Sequence, residues 1–218
     1  MKHQPLTIET LRRHYELRRD EIQARLSEFA AIKASGTDDI LLQELVFCIF
    51  TANASAKMGY RSIEAVKHLL YEGTNEELAK TLTGIHRFPN ARAAYIVTTR
   101  DYLRNDCNFQ LRDKLENFTD DIERRDWLAQ TREIKGLAYK EASHYLRNIG
   151  FRGYAILDKH ILKGLVEMNI IEEAKPPSTR AKYLIIEDKL RKFADDIEID
   201  FDELDLVLWS IKTGEILK

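Results

Sequence analysis

The stretch ILLQELVFCIFTANASA, residues 40–56, constrains the fold more than any other part of the chain. As a helix it is apolar around almost its whole circumference, so other elements must enclose it. Its most apolar run, ELVFCIFTA, is far below the roughly 20 residues that a membrane span requires. It therefore reads as the central helix of a soluble protein. With 218 residues the chain can bury one substantial core, or two lobes sharing a cleft. Two cysteines, Cys48 and Cys107, cannot form a disulfide framework, and no signal-like apolar stretch opens the sequence. A reducing, cytoplasmic setting is expected. Cys48 sits among Val46, Phe47 and Phe50, where a core thiol is expected rather than a nucleophile.

The rest of the chain also repeats at helical period, and no alternating stretch rich in valine or threonine suggests a strand. An all-α protein of roughly nine or ten helices is expected. A long polar helix runs from about Thr7 to Ala34 and stops at Gly36, after which Thr37 can cap the central helix. Thr74 and Glu77 form a capping box for a helix closing near Gly84. FPNARAAYIVTTRDYLR and TDDIERRDWLAQTR are two more helices, the second climbing to Glu133. Pro176 and Pro177 break the chain before a helix capped by Ser178 or Thr179 and ending near Phe193, and Gly214 stops the last helix.

A net charge of −2 gives no basic footprint to the whole chain, but the charge is segregated. Residues 132–163 hold seven lysines and arginines against three acids. Four arginines lie between His86 and Arg104 against one acid, Asp101, while residues 195–205 hold seven acids and no base. A local basic face remains possible.

IKGLAYKEASHYLRNIG, residues 134–150, reads as a turn entering a helix, with Lys140 at the helix mouth, where the dipole disfavours its charge. Gly136 and Ala138 are small enough for an outside group to reach the backbone amides, as a phosphate would. An ordinary αα-hairpin fits the same residues. Asp158, 18 positions after Lys140, precedes another helix and fits a simple N-cap. Together, Ile134, Gly136, Ala138, Lys140 and Asp158 resemble the signature of the helix-hairpin-helix DNA glycosylases, with alanine in place of the more usual second glycine.

That resemblance implies a two-lobed helix-hairpin-helix fold with the active site in the interlobe cleft. Its central lobe would span about 36–124, and 1–35 plus 125–218 would carry the hairpin and the catalytic pair. The damaged nucleotide is flipped out, and Lys140 attacks the sugar carbon to expel the base. Asp158 stabilises the positive charge on the sugar, and a Schiff base on Lys140 permits β-elimination of the 3′ phosphate. An amine with an ordinary pKa of ~10.4 is almost wholly protonated at pH 7. The helix mouth, partial burial and nearby cations such as Lys135 are expected to lower that value.

Cluster-bearing branches of the superfamily carry four closely spaced C-terminal cysteines, which this chain lacks, so no cofactor and no metal are expected. DELDLVLWSIKTGEILK, with ELVFCIFTANASA and KEASHYLRNIG, resembles the compact second type of 8-oxoguanine DNA glycosylase, found mainly in archaea and some bacteria. The implied base pocket contains Trp209, the terminal Lys218, Asp205 and His144. His160 would meet the DNA backbone and Asn53 the gap left by the flipped base. In HRFPNARAAYIV, Arg87 or Arg92 would bond an opposite cytosine, with Phe88 as a wedge. The expected partner is duplex DNA containing 8-oxoguanine opposite cytosine, bound by a monomer. The same fold acting on another damaged base, or a non-catalytic DNA-binding module, stays open from the residues alone.

Overall fold

Thr37 accepts a hydrogen bond from the Ile40 amide (3.4 Å), and the helix it caps, α2 (Asp38–Thr51), is buried along nearly its whole length. The structure is a computed structural model that describes residues 5–216, and every regular element among them is helical. α1 (Ile8–Ser35) precedes α2. α3 (Ala56–Val66), α4 (Asn75–Leu82), α5 (Pro89–Cys107), α6 (Leu111–Glu116), α7 (Asp121–Gln130) and α8 (Tyr139–Asn148) follow it. α9 (Lys159–Glu167), α10 (Arg180–Asp196) and α11 (Phe201–Thr213) complete the order, with a short 3-10 turn at Lys67–Leu69.

Most helix ends follow from local chemistry. Thr74 and Glu77 close the reciprocal capping box of α4 at 3.2 and 2.8 Å. Thr179, not Ser178, caps α10 through the Lys182 amide. Gly214, at φ 82°, ends α11 in the left-handed conformation. α7 stops at Gln130 rather than climbing to Glu133. α6 escapes the sequence pattern because only Leu111 and Leu115 of its six residues are buried, too few for a period to register.

Two compact units emerge. One spans residues 32–149 and encloses α2 among α3, α5, α6 and α8. The expected division assigned residues 125–149 to the other lobe, whereas here they belong with α2. The cause is the buried face of α8: Asn148 donates to Glu44 of α2 (3.3 Å), and Thr99 of α5 accepts from the Lys135 amide (2.9 Å).

Among the described residues the second unit joins 5–31 to 150–216. α1 buries Leu11 and Ile22 there, and Tyr15 and Gln23 both bond Glu203 of α11. Burial and the Glu203 carboxylate push the Tyr15 phenol up to about 12. Glu167 of α9 binds Lys212 of α11 (2.6 Å) and the Leu6 amide (3.0 Å). No helix among the described residues is long and apolar enough to cross a membrane.

Candidate active site

Gly136 is the residue that the hairpin turn cannot replace. Its φ of +80° is left-handed, and an added Cβ would lie 2.9 Å from the Tyr95 ring and 3.3 Å from Ile49. α5 and α2 therefore press directly on the turn. Thr99 holds the Lys135 amide behind it, and the Gly136 and Leu137 amides have no partner among the described residues. Ala138 caps α8 without a side-chain acceptor, and Glu141 supplies one by accepting from the Ala138 amide (3.4 Å). Open amides at a helix entrance suit an anion.

Lys140 is the second residue of α8 and is partly exposed. Its Nζ lies 2.9 Å from Glu141 Oε1, a carboxylate partner that the sequence reading did not include. One turn on, His144 is 9% exposed and packs edge-on against Phe47 of α2 at 6.0 Å between centroids. Burial pushes the Cys48 thiol well up, Glu44 reinforces the shift and Lys140 opposes it. A thiol held protonated is a packing group rather than a nucleophile.

The C-terminal end of α2 is closed by His86 and Arg87 from the loop before α5 and by Arg92 of α5 itself. His86 Nε2 bonds the Phe50 carbonyl (3.0 Å), Arg92 bonds that of Ala52, and Arg87 that of Asn53 (2.7 Å). His86 and Arg92 thus satisfy carbonyls that the helix end leaves unpaired, and Arg87 ties the residue just past its cap. Asn53 is exposed at φ 58°, a conformation asparagine tolerates better than most residues. Phe88 is 40% exposed, and the Arg87 guanidinium lies over its ring at 4.5 Å. Arg92, by contrast, is 6% exposed, between the rings of Phe88 and Tyr95. Burial lowers its pKa. The two arginines considered equivalent from the sequence therefore differ: Arg87 has an outward face, and Arg92 is a structural tie.

His86 had no assigned role in the sequence. The Phe88 amide donates to Nδ1 (3.0 Å), so the Nε2 proton is the one given to Phe50. Burial holds the imidazole below its ordinary 6.5, against the pull of the Phe50 carbonyl, and Arg92 and Arg87 lower it further. Phe50 meets His86 only through the fold, so no local sequence signal marks that bond.

Asp158 lies in the second unit. Its Oδ1 accepts the His160 and Ile161 amides at 2.7 and 2.8 Å and so caps α9. Capping uses that one oxygen and leaves Oδ2 for other work. The approach to it, residues 151–157, is neither helix nor strand and is largely buried. Asp205 is 2% exposed and accepts the Ile156 amide (3.1 Å) rather than facing solvent. The pocket role expected for it therefore competes with a backbone tie. Trp209, one turn along α11, is partly exposed, as is His160. Lys218 lies outside the described residues.

Comparisons with known proteins place the chain in a family. The family model Ogg-HhH, 8-oxoguanine DNA glycosylase, matches residues 22–199. An 8-oxoguanine DNA glycosylase/AP lyase of Korarchaeum cryptofilum is 42% identical over 201 residues, covering 92% of this chain and 91% of its own. The protein of that name from Fusobacterium nucleatum is 38% identical over 207 residues, covering 94% of each. Among solved structures, the Methanocaldococcus jannaschii 8-oxoguanine glycosylase/lyase bound to a 15mer DNA containing 8-oxoguanine aligns with a TM-score of 0.86. It is 36% identical and covers 97% of this chain and 100% of its own. With the model match spanning most of the chain and relatives this similar over nearly their full lengths, the chain belongs to the 8-oxoguanine DNA glycosylase family.

Proposed function

We propose that this protein excises 8-oxoguanine from duplex DNA and then cleaves the strand at the resulting abasic site. The target nucleotide is flipped out of the stack, and the neutral Lys140 amine adds to C1′ as the C1′–N9 bond breaks. The bonding electrons leave with the base, which takes up a proton. Opening of the sugar ring gives a protonated Schiff base, and loss of a C2′ proton expels the 3′ phosphate. Water then releases the lysine. Asp158 is the fixed carboxylate for the positive charge that develops on the sugar.

The observation that carries this reading is Lys140 itself, an amine at the mouth of α8 directly behind a turn with open amides, in a member of this family. Gly136 and Ala138 grip the DNA phosphate, and His160 adds a backbone contact. His144 and Trp209 are assigned to reading the base, while Asp205 is committed to its tie to Ile156. Phe88 wedges into the stack beside Asn53, and Arg87 bonds the opposite cytosine. The protein acts as a monomer, in the cytoplasm.

Borohydride trapping on a duplex with one 8-oxoguanine tests the reading. A covalent adduct is expected from the wild type and none from Lys140→Gln. Full excision and trapping by Lys140→Gln would refute the mechanism. Trapping only on another lesion would reassign the substrate, and binding without excision would leave a DNA-binding module.

A further inference from the structure

Residues 151–157 link α8 to α9 and end one residue before Asp158. Their buried amides need partners, and no sheet supplies them. Side chains of α10 and α11 do so instead. Tyr183, Glu187 and Arg191 lie four residues apart on one face of α10. The Leu157 amide donates to Tyr183 Oη (3.3 Å), which donates to the Ala155 carbonyl (2.6 Å). The Ala155 amide donates to Glu187 (3.2 Å), and Arg191 donates to the Gly153 carbonyl (2.8 Å). Every fourth helical residue thus serves every second residue of an extended chain running the opposite way.

The spacings match. Four residues of helix rise about 6.0 Å and two of extended chain about 6.6 Å, so one row of side chains stays in register along the segment. α11 closes the other side: Asp202 accepts the Gly153 amide (2.9 Å) and Asp205 the Ile156 amide (3.1 Å). The Ile156 carbonyl in turn accepts the Asp158 amide at 2.7 Å. Asp205 is therefore two hydrogen bonds from the backbone of Asp158, through a single peptide residue.

We propose that Asp205, with Glu187 holding the neighbouring Ala155 amide from α10, is a positioning residue that sets where the Asp158 carboxylate stands. This inference rests on the proposed role of Asp158. Base loss passes through an oxocarbenium-like sugar and strand cleavage through an iminium, both positively charged, so a displaced carboxylate slows both steps. A residue that reads the base would affect excision alone.

Single-turnover rates on 8-oxoguanine duplex and on pre-formed abasic DNA test it, with affinity for an uncleavable abasic analogue as control. Asp205→Ala is expected to slow both reactions by roughly 10- to 100-fold, as a misplacement of about 1 Å would, with affinity unchanged. Asp205→Asn keeps an oxygen for the Ile156 amide and restores most of the rate. In an Asp158→Asn background, where the cap survives, Asp205→Ala is expected to cost nothing further. A loss that persists in full in that background, or falls on excision alone, or is absent, overturns the proposal. If Asp205→Ala does not fold, Glu187→Ala is held to the same outcomes. Wild-type protein that releases no 8-oxoguanine would bring down the function first and this inference with it, whereas an active wild type isolates the inference.

Discussion

Gly136→Ala tests whether the hairpin turn is built for close approach. Two costs follow from the structure. A residue with a Cβ must hold φ +80°, which costs roughly 1–2 kcal/mol. The same Cβ would meet Tyr95 at 2.9 Å and Ile49 at 3.3 Å, closer than the packed ring of Tyr95 can accept without moving. Overpacking of this kind costs roughly 1–3 kcal/mol. Together they predict a loss of about 2–5 kcal/mol, or a fall in Tm of roughly 10 °C for a chain of this size. Urea and thermal unfolding measure it. The two parts separate in a Tyr95→Ala background, where the steric cost disappears and the conformational one remains, leaving a coupling of roughly 1–3 kcal/mol. If Gly136→Ala stayed within about 0.5 kcal/mol of wild type, the turn would require neither its left-handed backbone nor its contact with α5.

His86 makes stability depend on pH. Its folded pKa lies below its ordinary 6.5, so the unfolded chain binds the proton first as pH falls. Its contribution is present above 6.5 and lost below it, because protonation displaces the Phe88 amide from Nδ1 and sets a cation beside Arg87 and Arg92. His86→Gln is expected to flatten urea-derived stability between pH 7 and 5, and an unchanged slope would exclude this histidine as its source. Arg87 and Arg92 should also separate. Arg92→Ala leaves the Ala52 carbonyl unpaired and is expected to cost roughly 1.5–3 kcal/mol of stability. Arg87→Ala should leave stability within about 1 kcal/mol but relax discrimination for cytosine opposite the lesion by roughly 1–3 kcal/mol. Excision from duplexes with each opposite base measures that preference, and an unaltered preference removes Arg87 from base reading.

The features legible in the sequence are those set by neighbours along the chain. The Thr74–Glu77 capping box, the Gly214 stop and the apolar α2 each depend on residues within a turn or two, so composition and period reveal them. Asp158 as a cap is legible for the same reason. The hairpin residues needed a pattern spread over 25 positions, from Ile134 to Asp158, and the family resemblance rather than periodicity joins them. What stayed hidden are ties between irregular backbone and distant side chains. His86 reaches Phe50 across 36 positions, and Asp205 reaches Ile156 across 49. Asp205 closes an acidic run, and its burial does not show in the sequence because its partner is a peptide amide, which carries no letter there. The same ties explain how non-helical segments hold functional groups in place. The Lys135 amide is held by Thr99, the loop bearing Arg87 and Phe88 is held to the end of α2, and the approach to Asp158 is held by α10 and α11. Whereas His86 and Arg87 of the loop reach backbone carbonyls at the end of α2, at Lys135 and before Asp158 a side chain anchored on a packed helix takes the place of a strand neighbour. A single substitution in that helix therefore releases a specific peptide group, and its effect should appear in chemistry before it appears in global stability.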